Sequence, residues 1–478
     1  MVGQGLHQAR FARTHELWPL CSASFVPDRV LLGTKRLFLF GRPLLTVRKT
    51  KQRPELGNLL IVGPTRSGKG LLAVSQLLTW HHSVIVNDTK GDLFTQTAGF
   101  RSLFGPVYVL DPTGVGHRYD PLTGKDTEDA FYSSAAQLLF QADEREPIFT
   151  QRATVMLACI FAAAKREGAA ALPYARKLLR AGLTACVEQL HAVDPELATI
   201  FLDVSRATPN LTDRFLLSAW GTLTARMRPL LTETVVRSLA QSDFTPEEII
   251  TSNRPVTVYI RWKEQDLLAL SPLVRLLWGS LINELVATYD RRAGNGCQPV
   301  LLLIDEAGRT AIPSLADQAT TVAGRGLTMW LAVQSLSQLE VVYGKARAQV
   351  LRDNMESQLY YRPTDIATAR YVEERCGRQS AYAHTTTEQY GGHTSQGRSE
   401  QAIPLLSAQD FLRYKDHEVI GFHRSLPPFK LERMDWRQHS ILQKRRTIPA
   451  PELPTLAPLA DLPMLQGVDR PAFIDPDR

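Results

Sequence analysis

The run Gly63-Pro64-Thr65-Arg66-Ser67-Gly68-Lys69-Gly70 constrains this chain more than any other feature. It follows an apolar strand pattern, Leu59 to Val62, and precedes a helical one. A strand, a glycine-rich loop and a helix N-terminus aim backbone N–H groups and the positive end of a helix dipole at one point. An anion binds there, and a lysine in the loop reaches the outer phosphate oxygens. Glycines serve because side chains would block the approach of phosphate to the backbone. The spelling GxxxxGK alone is weak, since it should occur by chance in roughly one chain of this length in seven. Its position after a strand removes most such accidents; the alternative is an ordinary glycine-rich turn. One letter departs from the general rule, because Gly70 stands where a Ser or Thr hydroxyl normally reaches Mg²⁺. The expected ligands are ATP and Mg²⁺, with the metal held by water, the phosphates and an acidic residue elsewhere.

A second constellation supplies that residue. Leu301 to Ile304 is an apolar strand pattern ending in Asp305 and Glu306. In ATPases with such a loop, the Asp orders Mg²⁺ through its water shell and the Glu polarises the attacking water. Both must stand at the carboxyl end of a strand beside the loop, where open α/β sheets bind ligands. Two acids after an apolar run are common; the chain order relative to the loop gives the pair its weight. Asp305 is the candidate metal residue and Glu306 the candidate catalytic carboxylate. Downstream, Arg325 lies in the glycine turn Ala323 to Gly326, and Gln334 ends the strand pattern Leu327 to Val333. A polar side chain at such a strand tip can touch γ-phosphate or water, and an arginine exposed in a turn can reach a neighbouring subunit's phosphates. The bland alternatives are a capping glutamine and a surface arginine.

The rest of the chain reads as α/β with a mostly parallel sheet. Short apolar runs alternate with helical stretches from residue 58: Leu59 to Val62, Ser83 to Asn87 and Pro106 to Leu110 come first, then Pro255 to Trp262, Val300 to Ile304, Leu327 to Val333 and Gln358 to Tyr361. A long helix is expected from about Pro272 to Arg291, and another at Ile366 to Cys376. Between about 124 and 240 strand signals vanish and Ala- and Leu-rich helical segments take over, which predicts an all-helical insertion. Ser380 to Glu400 is polar and reads as an exposed loop or ragged hairpin. Four parts are expected: a basic N-terminal arm over 1–53, a nucleotide-binding domain over 54–123 and 241–446, an all-α inserted domain over 124–240, and a Pro-rich disordered tail over 447–478.

Composition bounds the setting. At 44% hydrophobic and 22% charged, the 478 residues exclude a disordered or collagen-like chain. The five cysteines are an odd number, far apart, with no CxxC pair, so neither a disulfide framework nor a zinc site is expected and a reducing, cytosolic compartment fits. The net charge of +7 is placed unevenly. Residues 1–57 hold ten Lys/Arg against three acids, and the remainder is balanced. Such an arm meets nucleic acid or an anionic membrane surface, or is simply solvated. No membrane span or signal peptide is read from the sequence.

The chain resembles the TraG/TraD-type coupling ATPases of bacterial type IV secretion and conjugation over roughly residues 54–435. The likeness rests on GKG in the loop, Asn87-Asp88-Thr89-Lys90-Gly91-Asp92 after the second strand, Tyr108 to Pro112, Arg118 to Leu122, Asp305-Glu306, and Gln334-Ser335-Leu336-Ser337-Gln338-Leu339. It implies a RecA-like P-loop motor related to the FtsK/HerA translocases, working as a homo-hexamer with an all-α domain inserted. Such motors bring single-stranded DNA bound by a relaxase, or protein substrates, to the secretion channel. By resemblance, Lys69 binds phosphate, Asp305 and Glu306 serve Mg²⁺ and hydrolysis, Gln334 senses the γ-phosphate, and Arg325 is the finger acting in trans. Asp88 and Lys90 take a supporting role near the nucleotide. Relatives carry N-terminal transmembrane helices and none is read here, so either the chain is of a soluble subclass recruited by a membrane-anchoring partner and attached peripherally at the inner face of the cytoplasmic membrane, with which the basic arm is compatible, or it has lost anchoring and with it function. The competing readings are a general DNA translocase of the FtsK/HerA type and a substrate receptor that binds nucleotide without hydrolysing it.

Overall fold

The computed structural model describes residues 8–36, 42–50, 55–140, 147–203, 213–262, 267–308, 312, 315–389 and 393–457. The chain divides into two compact units. The first comprises residues 1–107, 249–257 and 288–451; the second comprises 108–248, 258–287 and the residues from 452 onward.

The first unit is built on a sheet. In chain order the strands of the protein are β1 (Cys21–Ser22), β2 (Val30–Thr34), β3 (Leu44–Val47), β4 (Leu59–Val62), β5 (Ser83–Asn87), β6 (Val107–Leu110), β7 (Thr257–Ile260), β8 (Val300–Ile304), β9 (Leu327–Val333), β10 (Ser357–Tyr361), β11 (Arg378–Gln389), β12 (His393–Pro404), β13 (Glu418–His423) and β14 (Phe429–Glu432). The first unit's sheet runs β1-β3-β2-β14-β13-β10-β4-β9-β8-β5. Its centre is parallel: Ser357 pairs with Leu59, Leu59 with Trp330, Val300 with Leu327 and Ser83 with Val300. All residues of β4, β5, β8, β9 and β10 are buried. That is why these strands read as unbroken apolar runs, since crossover helices cover both faces of a parallel sheet.

The N-terminal residues do not form a separate arm. β2 and β3 pair with each other, every residue in them is buried, and Glu432 of β14 pairs with Thr34. The apolar runs VLLGT and LLTV drive this, because burying them removes apolar surface from water while the flanking Arg36, Arg42 and Arg48 stay exposed and hydrated. Part of the basic charge is also paired, through Arg10–Glu16 and Arg42–Glu432 at 2.6 and 2.7 Å. The segment expected as a loop or ragged hairpin is a two-stranded antiparallel ribbon, β11 with β12.

The second unit is mainly helical. Among the described residues, seven helices follow one another: Glu128–Leu139, Pro147–Arg166, Ala171–Ala181, Leu183–Val193, Pro195–Leu202, Arg214–Met227 and Glu233–Ser238. Most of β6 and β7 also belongs to it. Phe161, Leu172, Phe201 and Leu223 are fully enclosed in its core. Arg118 forks onto Asp243 at 2.8 Å, tying the two ends of the helical stretch together. The helix Pro147–Arg166 is long and apolar enough to cross a membrane, yet 61% of its apolar window is buried inside the protein.

The tail departs from expectation in its first part. In the first unit, the Ile448 carbonyl fills the place a side chain at Gly99 would take. In the second, Gly116 donates to the Pro454 carbonyl at 2.7 Å, and Leu456 donates to the Gly114 carbonyl at 3.0 Å and is buried. Prolines bar a helix here but leave carbonyl acceptors free for such backbone pairing. The remainder of the expected tail, 458–478, lies outside the described residues.

Candidate functional site

The loop after β4 takes its shape from three close approaches. Gly63 donates its N–H to the Val333 carbonyl at 3.1 Å, fixing the loop's start beside the end of β9. A Cβ at Gly63 would stand 2.8 Å from both Ser67 Oγ and Tyr361 Cβ. Gly68 caps the helix Lys69–Leu77 with φ 109°, a left-handed backbone that side chains disfavour. Gly70 is different, for a Cβ there would meet nothing within 4 Å. Lys69 is buried and its Nζ donates to the Gly63 carbonyl and, at 3.0 Å, to that of Pro64. Burial holds its ammonium below the usual lysine range, while Asp305 and Glu306 oppose that shift.

Asp305 and Glu306 follow β8 directly. Asn87, at the end of β5, donates its Nδ2 to the Asp305 carbonyl at 3.1 Å and so ties two strand ends together. The Asp305 carboxyl lies deep while keeping one face open to the cavity; burial, and then the charge of Glu306, push it up to about 6. Glu306 is buried, adopts a left-handed backbone with φ 58°, and accepts a hydrogen bond from Lys90 Nζ at 2.9 Å. Asp88 is buried and accepts from the Phe94 N–H at 2.7 Å, which orders the turn into the helix Asp92–Ser102.

These groups line one cavity of about 560 Å³. Thr65, Arg66, Gly68, Lys69 and Gly70 come from the loop, Asp88, Thr89 and Lys90 from the turn after β5, and Asp305 and Glu306 from the end of β8. A further wall comes from Arg433, Trp436 and Arg437, just after β14. Arg433 Nη1 donates to the Ser67 carbonyl at 3.2 Å, and the Arg446 guanidinium lies 4.5 Å from the centre of the Trp436 ring.

Two expected site residues stay outside this cavity. Gln334 directly follows β9, close to the loop, but its side chain is not part of the lining; its N–H donates to Gln338 Oε1 at 3.1 Å. Arg325 precedes β9, at the opposite end of a seven-residue strand and so about 20 Å from its tip. There its guanidinium forks onto Asp290 at 2.8 and 2.9 Å.

Residues 35–455 match the family described as type IV secretory system, conjugative DNA transfer. The chain belongs to that family. Among curated members, it is 26% identical to Protein VirD4 of Rhizobium radiobacter over 433 residues, covering 84% of this chain and 60% of VirD4. It is 27% identical to the conjugal transfer protein TraG of Escherichia coli over 398 residues, covering 74% of this chain and 61% of TraG. The chain thus spans about three fifths of the length of these relatives. The plasmid coupling protein TrwB, solved in complex with ADP and Mg²⁺, superposes with a TM-score of 0.65 at 16% identity, over 95% of this chain and 97% of that one. TrwB with the non-hydrolysable ATP analogue ADPNP gives 0.64 over the same shares. The conjugative transfer family read from the motifs is therefore the right one, and the fold is the RecA-like P-loop α/β fold expected of it.

The wall formed by Arg433, Trp436 and Arg437 was not legible in the sequence. Arg433 meets the loop across 366 residues of chain, a contact made by the pairing of β14 rather than by any local spacing. The only available signal was the cluster of arginines around one tryptophan in Arg433-Met434-Asp435-Trp436-Arg437.

Proposed function

We propose that this chain is an ATP-driven motor of a conjugative coupling protein, delivering relaxase-bound single-stranded DNA or protein substrates to a type IV secretion channel. The observation that carries this reading is the convergence of Lys69, Asp305 and Glu306 on one cavity beside a loop that requires glycine at 63 for space and at 68 for its left-handed backbone. That cradle fits nucleotide phosphates. The loop's N–H groups and Lys69 would hold the phosphates, and Asp305 would hold Mg²⁺ through water. Bound there, the metal would neutralise phosphate charge. Lys69 now donates to two carbonyls of its own loop, and phosphate oxygens, being charged, are stronger acceptors for the same donor. Glu306 would take the proton of the attacking water, oriented by its hydrogen bond from Lys90.

The same reading assigns residues 54–123 and 241–446 to the motor body and 124–240 to the all-α insertion, with β2 and β3 added to the body. The working assembly is a homo-hexamer in which Arg325 serves the neighbouring subunit's cavity and Gln334 turns toward the γ-phosphate when nucleotide binds. Attachment to the inner face of the cytoplasmic membrane runs through a membrane-anchoring partner.

Two variants test the chemistry. Lys69→Ala removes a charge from the cradle and weakens binding of a fluorescent ATP analogue. Glu306→Gln leaves that binding intact and slows phosphate release by about 10²–10⁴-fold, the usual contribution of a general base. Equal hydrolysis by the wild type and both variants, with DNA present, would leave a nucleotide-binding substrate receptor in place of a motor.

A further inference from the structure

The helical unit contains a second cavity, of about 470 Å³, whose lining is basic. Three arginines face it, Arg176, Arg180 and Arg228, together with Thr224 and Thr232. Arg176 and Arg180 lie one turn apart on the helix Ala171–Ala181, so they share a face. Thr224 belongs to the helix Arg214–Met227, and Arg228 opens the 3₁₀ turn Arg228–Leu231 that follows it. Among the described residues, no aspartate or glutamate lines the cavity.

The neutralising charge available to this cluster is thin. Arg176 is anchored by its Nε, which donates to the Leu231 carbonyl at 3.0 Å. Its ion pair with Glu233 is loose at 3.9 Å, and the same Glu233 is shared with Arg237 at 3.8 Å. Arg180 and Arg228 make no ion pair among the described residues. Burial, and then the charge of Arg180, hold the Arg176 guanidinium below its ordinary range. Like charges gathered in a concave wall raise the local positive potential and attract an anion.

We infer that this arginine cavity is a contact site for the phosphodiester backbone of single-stranded DNA. Its volume suits a small anionic group, since ligand cavities run about 300–1,000 Å³. Guanidinium forks are phosphate donors, whereas Thr224 Oγ1 already donates to the Trp220 carbonyl at 2.9 Å, and among the described residues no aromatic ring lines the cavity to stack a base. The site therefore reads charge and not sequence, as cargo of arbitrary sequence requires. DNA is favoured over an acidic peptide because the family is one of DNA transfer. The inference rests on the proposed motor function only in taking DNA as the cargo.

The test uses the full chain with a fluorescein-labelled oligothymidylate, measured by anisotropy across a salt series. Arg176 is left in place because it holds the turn at Leu231. Arg180→Glu/Arg228→Glu should weaken binding more than tenfold at about 50 mM salt and lower the salt slope by about 1.4, at roughly 0.7 per lost single-strand phosphate contact. Arg180→Lys/Arg228→Lys should recover most of the loss. Arg214→Glu/Arg347→Glu is the control: it changes net charge equally at exposed positions outside the cavity and should do much less. ATP hydrolysis without DNA should match the wild type in all variants. If the cavity variants bind DNA like the control, or lose poly-glutamate binding while keeping DNA, the inference is overturned and the motor reading stands. A wild type that hydrolyses ATP but fails to bind the oligonucleotide at low salt would overturn both the site and the choice of DNA as cargo.

Discussion

At Gly70, the departure from the usual loop spelling is not imposed by packing. The residue sits in the first turn of the helix Lys69–Leu77, where a side chain would meet open space, whereas a side chain at Gly63 would collide with Ser67 and Tyr361. Gly70→Thr should therefore fold as well as the wild type. It should also gain slightly in stability, because glycine costs a helix roughly 0.5–1 kcal/mol relative to alanine and threonine recovers part of that. The added hydroxyl stands where Mg²⁺ is normally met. Hydrolysis at limiting magnesium is expected to rise, as read by phosphate release over a magnesium titration, and thermal unfolding should not move downward. A clear drop in melting temperature would mean that the loop needs glycine at 70 for conformational reasons. Lys69, Asp305 and Glu306 were legible in the sequence because each is fixed by a strand end and local spacing. Arg433 and Trp436 were not, because chain folding rather than spacing brings them to the loop.

Among the elements, the N-terminal strands carry a consequence for the site itself. Gln76, buried on the helix that follows the phosphate loop, accepts the Leu31 N–H at 2.7 Å and donates to the Arg29 carbonyl at 3.1 Å. β2 is thus fastened to the helix whose N-terminus forms the cradle. Deleting residues 1–53 strips β2 and β3 from the sheet, leaves Gln76 without these partners and opens the edge of β14 to other chains. The truncated protein should melt well below the full chain and elute as aggregate in gel filtration. Gln76→Ala alone should cost about 1–3 kcal/mol, the usual penalty for buried groups left unbonded. A truncated form as stable and monodisperse as the full chain would return these residues to the status of a dispensable arm. The parallel core was readable from sequence because strands buried on both faces appear as unbroken apolar runs. β2 and β3 are short runs among basic residues, where charge obscured the burial. The strap around Ile448 and Leu456 carries no periodicity at all, since its order comes from backbone contacts.

For the whole molecule, the position of Arg325 decides how a working site is completed. Arg325 cannot serve the cavity of its own chain from the far end of β9, so its proposed role requires a neighbouring copy. Its fork onto Asp290 is a surface pair, and such solvent-exposed pairs hold a side chain only weakly. A neighbour's phosphates, carrying more negative charge than one carboxylate, would displace it readily. Arg325→Ala and Lys69→Ala should each be nearly inactive alone, the first for want of a finger and the second for want of a cradle. Mixed in equal amounts under conditions where they co-assemble, roughly a quarter of the interfaces in a head-to-tail ring would pair an intact Lys69 with an intact Arg325. Phosphate release should recover in proportion to those interfaces, and a third protein carrying both substitutions should contribute nothing to the recovery. Were co-assembly demonstrated by crosslinking and no activity regained, Arg325 would be a structural partner of Asp290, and the finger would have to come from another residue near the cavity.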